Sequence, residues 1–140
     1  MVSGDVASVL AIQKDSPELA QWTVRDYEGV ARGKMAGWVA EDDGYVAGFI
    51  VARQIADEIE ILNIAVAPHA RRRNIGTELL RVTFEWGRAN HAHKAFLETR
   101  ASNSPAIAFY QHHGFSAIGR RPKYYMSPPE DAIVLSTNLD

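Results

Sequence analysis

Cysteine is missing from all 140 residues. Its absence rules out disulfides, a thiolate nucleophile and any cysteine-ligated metal. A reducing compartment suits such a chain, and the cytoplasm is the expected location. Positive charge is also short, with 15 Lys and Arg against 17 Asp and Glu and a formal net charge of −2. Bulk nucleic-acid binding needs a basic face, so no nucleic acid is expected as a partner. The longest apolar run, near residues 59–67, contains Glu60 and Asn63 and falls well below the ~20 residues that cross a bilayer. No basic region followed by an apolar stretch opens the chain, and no membrane association is expected. Internal repeats and low-complexity tracts are lacking too.

What remains is an ordinary globular composition, 46% hydrophobic and 23% charged. The length fits one domain, residues 1–140, on the prior of about 100–200 residues each. The five histidines include His91 and His93 in a connection and the adjacent His112 and His113 at a helix end. None stands at metal-ligand spacing beside an acidic cluster, so no metal is expected.

Periodicity and punctuation predict the elements. Asp5 is a candidate N-cap for a first helix carrying Val6, Val9 and Leu10 inward, and Ser16-Pro17 interrupts it. Thr23 caps a second helix through Arg32, ended by Gly33. Strands are expected over residues 35–41, 45–55 and 58–66, with hairpin turns at Asp42-Asp43-Gly44 and Ala56-Asp57. A helix over 75–90, a strand over 95–100, a helix opened by Ser104-Pro105 and closed by Gly114, and strands over 115–121 and 132–137 complete the order ααβββαβαββ. The strand, helix and strand from Glu58 to Arg100 read as a parallel crossover flanked by hairpins.

One segment carries most of the chemical information: residues 63–80, an apolar strand, then Arg71-Arg72-Arg73-Asn74-Ile75-Gly76, then an amphipathic helix. That order brings unpaired backbone N–H groups, a helix N-terminus and cationic side chains together, which suits a phosphate chain. Lys-Ser/Thr does not follow Gly76 and no GxGxxG occurs, so other phosphate-loop classes fit poorly.

Two further residues invite chemistry. Glu98 lies mid-strand on the face of Phe96 and Arg100, where a carboxylate is costly unless paired or needed. It is either a salt-bridge partner of Arg100 or another arginine, or a general base. Tyr110 is either a core aromatic at helical spacing or a phenol that gives a proton to a leaving group.

The loop motif resembles the acetyl-CoA loop of the GNAT acetyltransferases, Arg/Gln-x-x-Gly-x-Gly/Ala, with Asn74 in place of the first glycine. Asparagine follows glycine most readily into positive φ. The resemblance sharpens with residues 97–103, Ala106 to Tyr110, Gly114-Phe115, residues 61–66, Arg121-Pro122-Lys123-Tyr124-Tyr125 and Glu130-Asp131-Ala132-Ile133. Together these are similar to the RimI-type ribosomal-protein alanine N-acetyltransferases from about Glu58 onward. The resemblance implies an α+β (mixed α/β) acyl-CoA N-acyltransferase fold: a mostly antiparallel mixed sheet with a parallel crossover, helices on both faces, and a first strand missing or vestigial.

It further implies acetyl-CoA as cosubstrate, Glu98 as general base and Tyr110 as general acid. Ile64, Ala65 and Val66 fall on the strand whose backbone pairs with the pantetheine arm. Arg71 opens the cofactor motif, Arg72, Arg73, Asn74, Ile75, Gly76 and Thr77 form the pyrophosphate loop, and Asn103 is a further cofactor contact. The expected acceptor is a protein N-terminal α-amine, a ribosomal protein among the candidates, with the enzyme a monomer or homodimer. Alternatives are a small-molecule amine, or a non-catalytic acyl-CoA-binding module. Proton accounting favours the α-amine. With a pKa of about 7.7–8.0, roughly a seventh of α-amines are neutral at pH 7, against under about a thousandth of lysines at 10.4. One carboxylate, acting directly or through water, then suffices as base.

Overall fold

The order ααβββαβαββ reappears in the computed structural model, which describes residues 1–71, 73–126 and 128–139. The helices are α1 (Val6–Lys14), α2 (Val24–Ala31), α3 (Ile75–Ala89) and α4 (Ser104–His112). The strands are β1 (Ala36–Asp42), β2 (Tyr45–Ile55), β3 (Glu58–Val66), β4 (Lys94–Arg100), β5 (Ser116–Met126) and β6 (Pro129–Asn138). Among the described residues no helix is long and apolar enough to cross a membrane. Contacts divide the chain into two units: Met1–Arg53 with Ile61–Trp86, and Gln54–Glu60 with Gly87–Asp140.

In the first unit the strands lie in the order β1-β2-β3. Asp43 at φ 55 and Gly44 at φ 81 make the two-residue β1–β2 turn, the left-handed pair a type I′ hairpin requires. Strand β2 buries residues 47–52 without alternation, as a strand covered on both faces does. Val9, Ile12, Tyr27, Val30, Phe49, Val51 and Ala65 gather in one core. Tyr27 and Phe49 meet edge to face, 5.6 Å between ring centres, a geometry that adds about 0.5–1.5 kcal/mol beyond burial. Gly48 sits beneath α3, where a Cβ would meet the Ala65 carbonyl oxygen at 3.0 Å and Ile75 Cγ2 at 3.1 Å. A larger residue would make the β3 backbone and the α3 side chains give by a few tenths of an ångström.

Local signals at helix starts are mostly obeyed. Thr23 Oγ1 accepts from Asp26 N at 3.2 Å and Asp26 Oδ2 accepts from Thr23 N at 2.8 Å, a reciprocal cap. Asp5 takes the expected N-cap position of α1 without capping it. It closes a 3₁₀ turn, Ser3–Asp5, ahead of α1 and makes no side-chain cap to that helix. Its carboxylate instead accepts from Val2 N at 2.8 Å.

In the second unit β6 lies between β4 and β5 and pairs antiparallel with both. Ala95, Leu97, Tyr110, Phe115, Ala132, Leu135 and Leu139 are among its buried apolar residues. The β5–β6 hairpin is longer than residues 115–121 and 132–137. Pro122 does not end β5, because the register shifts between Arg121 and Tyr125. A strand not required to donate at every residue tolerates proline in such an irregular stretch. Lys123, at φ 52, turns through it. Its amide reaches Asp131 Oδ1 at 2.9 Å, and Arg120 reaches Asp131 Oδ2 at 2.7 Å.

Candidate active site

The first group of predicted residues stands where β3 gives way to α3. Strand alternation buries Ile61, Asn63 and Ala65 and leaves Ile64 and Val66 on the less covered side. Pro68 ends the strand by opening a 3₁₀ turn, Pro68–Ala70. Arg71 Nε donates to the Val66 carbonyl at 3.3 Å. Arg73 pairs with Asp42 at 2.5 Å, both side chains well exposed. The arginines are thus anchored to the protein rather than simply solvated, although an exposed ion pair of this kind holds weakly. Arg72 lies outside the described residues.

Asn74 adopts φ 60, the left-handed conformation that a glycine would supply at that place. Its carbonyl accepts from Glu78 N at 3.0 Å, which makes it the residue from which α3 starts. Ile75 and Gly76 follow as the first helical residues, whose amides have no acceptor inside the helix. Thr77 completes this half-buried first turn. The donor set suits a diphosphate: left-handed entry, helix-opening amides, a residue without a side chain, and two arginines on weak tethers.

Glu98 and its neighbours form the second group. Alternation along β4 buries Leu97 and Thr99 and turns Phe96, Glu98 and Arg100 to the opposite face. Arg100 does not take Glu98. It donates to the Pro128 carbonyl at 3.1 Å and to Glu130 at 3.4 Å, and its guanidinium lies 4.4 Å from the centre of the Tyr125 ring. Arg121 is the partner, with Nε 3.0 Å from Glu98 Oε1; the carboxylate side chain is 8% exposed and the arginine 58%. Glu98 Oε2 is buried and has no hydrogen-bond partner. The Tyr124 phenol is held above its ordinary value, first by burial and then by the neighbouring Glu98 carboxylate and its charge. Arg121 pulls the other way and Glu60 adds a smaller upward push. The sequence left open which arginine pairs with Glu98, since the pair joins strands separated by β6.

Tyr110 is buried on α4, with Phe109 and Phe115 ring centres 5.4 Å and 5.5 Å away. Burial, helped by Tyr125, pushes its phenol far above the ordinary value. It is therefore both packed and firmly protonated. Asn103 caps α4, its Oδ1 accepting from Ala106 N at 3.3 Å, which leaves its amide nitrogen as the group for any ligand. Among the described residues no three His, Asp or Glu side chains gather as a metal site.

The sequence pattern of the acetyltransferase (GNAT) family matches residues 7–115. The chain belongs to that family. A Bacillus subtilis relative, provisionally named a ribosomal protein bS18-alanine N-acetyltransferase, is 35% identical over 73% of this chain and 68% of its own length. The crystal structure of the ribosomal-protein-S18-alanine N-acetyltransferase from Escherichia coli superposes with a TM-score of 0.83 at 25% identity, covering 100% of this chain and 91% of that one. A Bacillus anthracis acetyltransferase structure in complex with acetyl coenzyme A gives 0.71 at 25% identity, over 76% of this chain and 63% of that one. This GNAT protein is accordingly an N-acetyltransferase of the mixed α/β acyl-CoA N-acyltransferase fold, close to the ribosomal-protein alanine N-acetyltransferases.

Proposed function

We propose that this acetyltransferase moves an acetyl group from acetyl-CoA to the α-amine of a protein N-terminus, by direct transfer in a ternary complex. The observation that carries the reading is Glu98: a carboxylate almost shut off from solvent, one oxygen tied to Arg121 and the other without a partner. A buried acceptor atom left unpaired costs about 1–3 kcal/mol, a cost that suits an oxygen used by substrate. The names of the relatives, acting on alanine of a ribosomal protein, point to the same acceptor class. The family match runs through residues of both units, which supports a single catalytic domain over residues 1–140.

Acetyl-CoA supplies the thioester whose acetyl group is transferred. The first-turn amides of residues 75–77, with Arg71, Arg72, Arg73 and Asn74, bind its diphosphate, the backbone of residues 64–66 takes the pantetheine arm, and Asn103 adds a contact. Glu98 removes a proton from the incoming ammonium, directly or through a water. The amine nitrogen forms its bond to the acetyl carbon as the carbon–sulfur bond breaks. Tyr110 gives a proton to the departing sulfur; burial keeps the phenol protonated but also makes it a weaker donor. The sum is one amide, one thiol and one proton released.

A mixture of N-terminal peptides, lysine peptides and small amines, offered with acetyl-CoA and read by mass spectrometry, tests the acceptor. Acetyl groups on peptide α-amines are expected. Products confined to lysine side chains or small amines would overturn the reading.

A further inference from the structure

Arg121 enters no account of the reaction so far, yet it is the group that divides the two oxygens of Glu98. The β5–β6 hairpin places it deliberately. Residues 120 and 121 of a strand point to opposite faces: Arg120 is taken by Asp131 at 2.7 Å, and Arg121 reaches Glu98 Oε1 at 3.0 Å. Asp131 also accepts the Lys123 amide at 2.9 Å, so one carboxylate fixes the chain on both sides of Arg121. The Arg121 guanidinium lies 5.7 Å from the Tyr124 ring centre, within the range where a cation is drawn to a ring face. This lowers the freedom of a side chain that is 58% exposed.

A pair of exposed charges would carry little meaning. Here one partner is exposed and the other nearly enclosed, with a single Nε contact and the second carboxylate oxygen left bare. A carboxylate about a single-bonded stem rotates freely unless one oxygen is claimed. We propose that Arg121 is a positioning residue: by claiming Oε1 it fixes the plane of the Glu98 carboxylate and dedicates Oε2 to the acceptor amine or its relaying water. This rests on Glu98 being the base. Placement errors of about 1 Å in a reacting group cost on the order of a hundredfold, so the contribution is measurable.

The test is a double-mutant cycle on the full chain with acetyl-CoA and an N-terminal alanine peptide, with thermal melts confirming folding. Arg121→Ala should lower kcat by about tenfold or more while acetyl-CoA affinity stays within about twofold. Arg121→Lys, which keeps the charge but not the guanidinium fork, should recover part of that loss. In the Glu98→Gln background, Arg121→Ala should cost no more than about twofold further, because residues acting through one another are not additive. Wild-type kcat in Arg121→Ala, or losses that multiply in the double variant, would overturn the proposal. Should Arg121→Ala not fold, an unchanged kcat in Arg121→Lys and Arg121→Gln would overturn it instead. If Glu98→Gln itself runs at the wild-type rate, the base assignment fails, a result separable from any of these.

Discussion

Asn63 donates to the Tyr27 hydroxyl at 3.0 Å inside the first unit, and the hydroxyl in turn meets Gln13 Oε1 at 2.5 Å. Gln13 closes the chain of contacts by donating to the Trp22 carbonyl at 2.8 Å and accepting from the Trp22 amide at 3.1 Å. Asn63 also reaches the Ala20 carbonyl at 3.3 Å. A buried polar group must be satisfied, and here the satisfaction ties the connection between α1 and α2 to β3. Tyr27→Phe keeps the ring against Phe49 but strips one partner from Asn63 and one from Gln13. It should destabilise the protein by about 1–3 kcal/mol, read as a lower urea midpoint. Proteolysis should quicken near Ala20 to Trp22. The double variant Tyr27→Phe with Asn63→Leu should recover part of the loss, since it removes the buried Asn63 amide that Tyr27→Phe leaves a partner short. A single variant as stable as wild type would remove the network from the account.

Asn74 makes a second prediction, about the helix entry. A side chain with a Cβ pays roughly 1–2 kcal/mol in the left-handed region, and asparagine is among the least penalised. Asn74→Gly should therefore be neutral or slightly stabilising, while Asn74→Ala should lose about 1 kcal/mol of stability. Calorimetry should also find acetyl-CoA affinity kept in the glycine variant and weakened in the alanine one. Equal affinity in both would mean that the backbone at Asn74 does not shape the cofactor loop.

What the sequence could reveal follows from the range of the forces involved. Asp43-Gly44, Thr23 with Asp26, and Ser104-Pro105 act on their own neighbours, and each stands where local chemistry puts it. Asp5 stands at the N-cap position of α1 but its side chain does not cap it, because its carboxylate accepts from Val2 N in the 3₁₀ turn ahead of the helix. The reach of β5 past Pro122 was hidden because it depends on Asp131, eight residues from Lys123, holding an irregular stretch in place. The pairing of Glu98 with Arg121 was hidden more deeply. Alternation gave the face of Glu98 correctly, but which of the arginines crosses to that face depends on the order β4-β6-β5. The same holds for the fate of Arg100, which looks like the natural partner in sequence and binds Glu130 instead.

Tyr110 supplies a third prediction, one that separates packing from proton transfer. Tyr110→Phe preserves the ring contacts with Phe109 and Phe115, so the melting temperature should hold. General acid catalysis is worth about 10²–10⁴, and a thiolate is a comparatively easy leaving group. The loss in kcat should thus sit near the lower end, about a hundredfold, with acetyl-CoA affinity retained. Single-turnover acetylation of a peptide N-terminus measures it. An unchanged rate would leave the phenol a packing residue.

Glu130 gives a prediction in pH. Hydrogen bonds from Ser102, the amide at 2.6 Å among them, and then the Arg100 guanidinium hold its carboxyl below the ordinary 4.5. A carboxyl whose folded value is depressed stabilises the fold at pH above its unfolded value. That stabilisation disappears as the pH falls through the folded value. Glu130→Gln should therefore melt earlier than wild type at pH 7, and the gap should close as the pH drops below about 4.5. Asp131, held below 3.8 by the Lys123 amide and by Arg120, is present in both proteins. Melting temperatures of the two proteins from pH 7 to pH 3 decide the matter. A gap that persists undiminished in acid would mean that Glu130 acts through its shape and not through its charge.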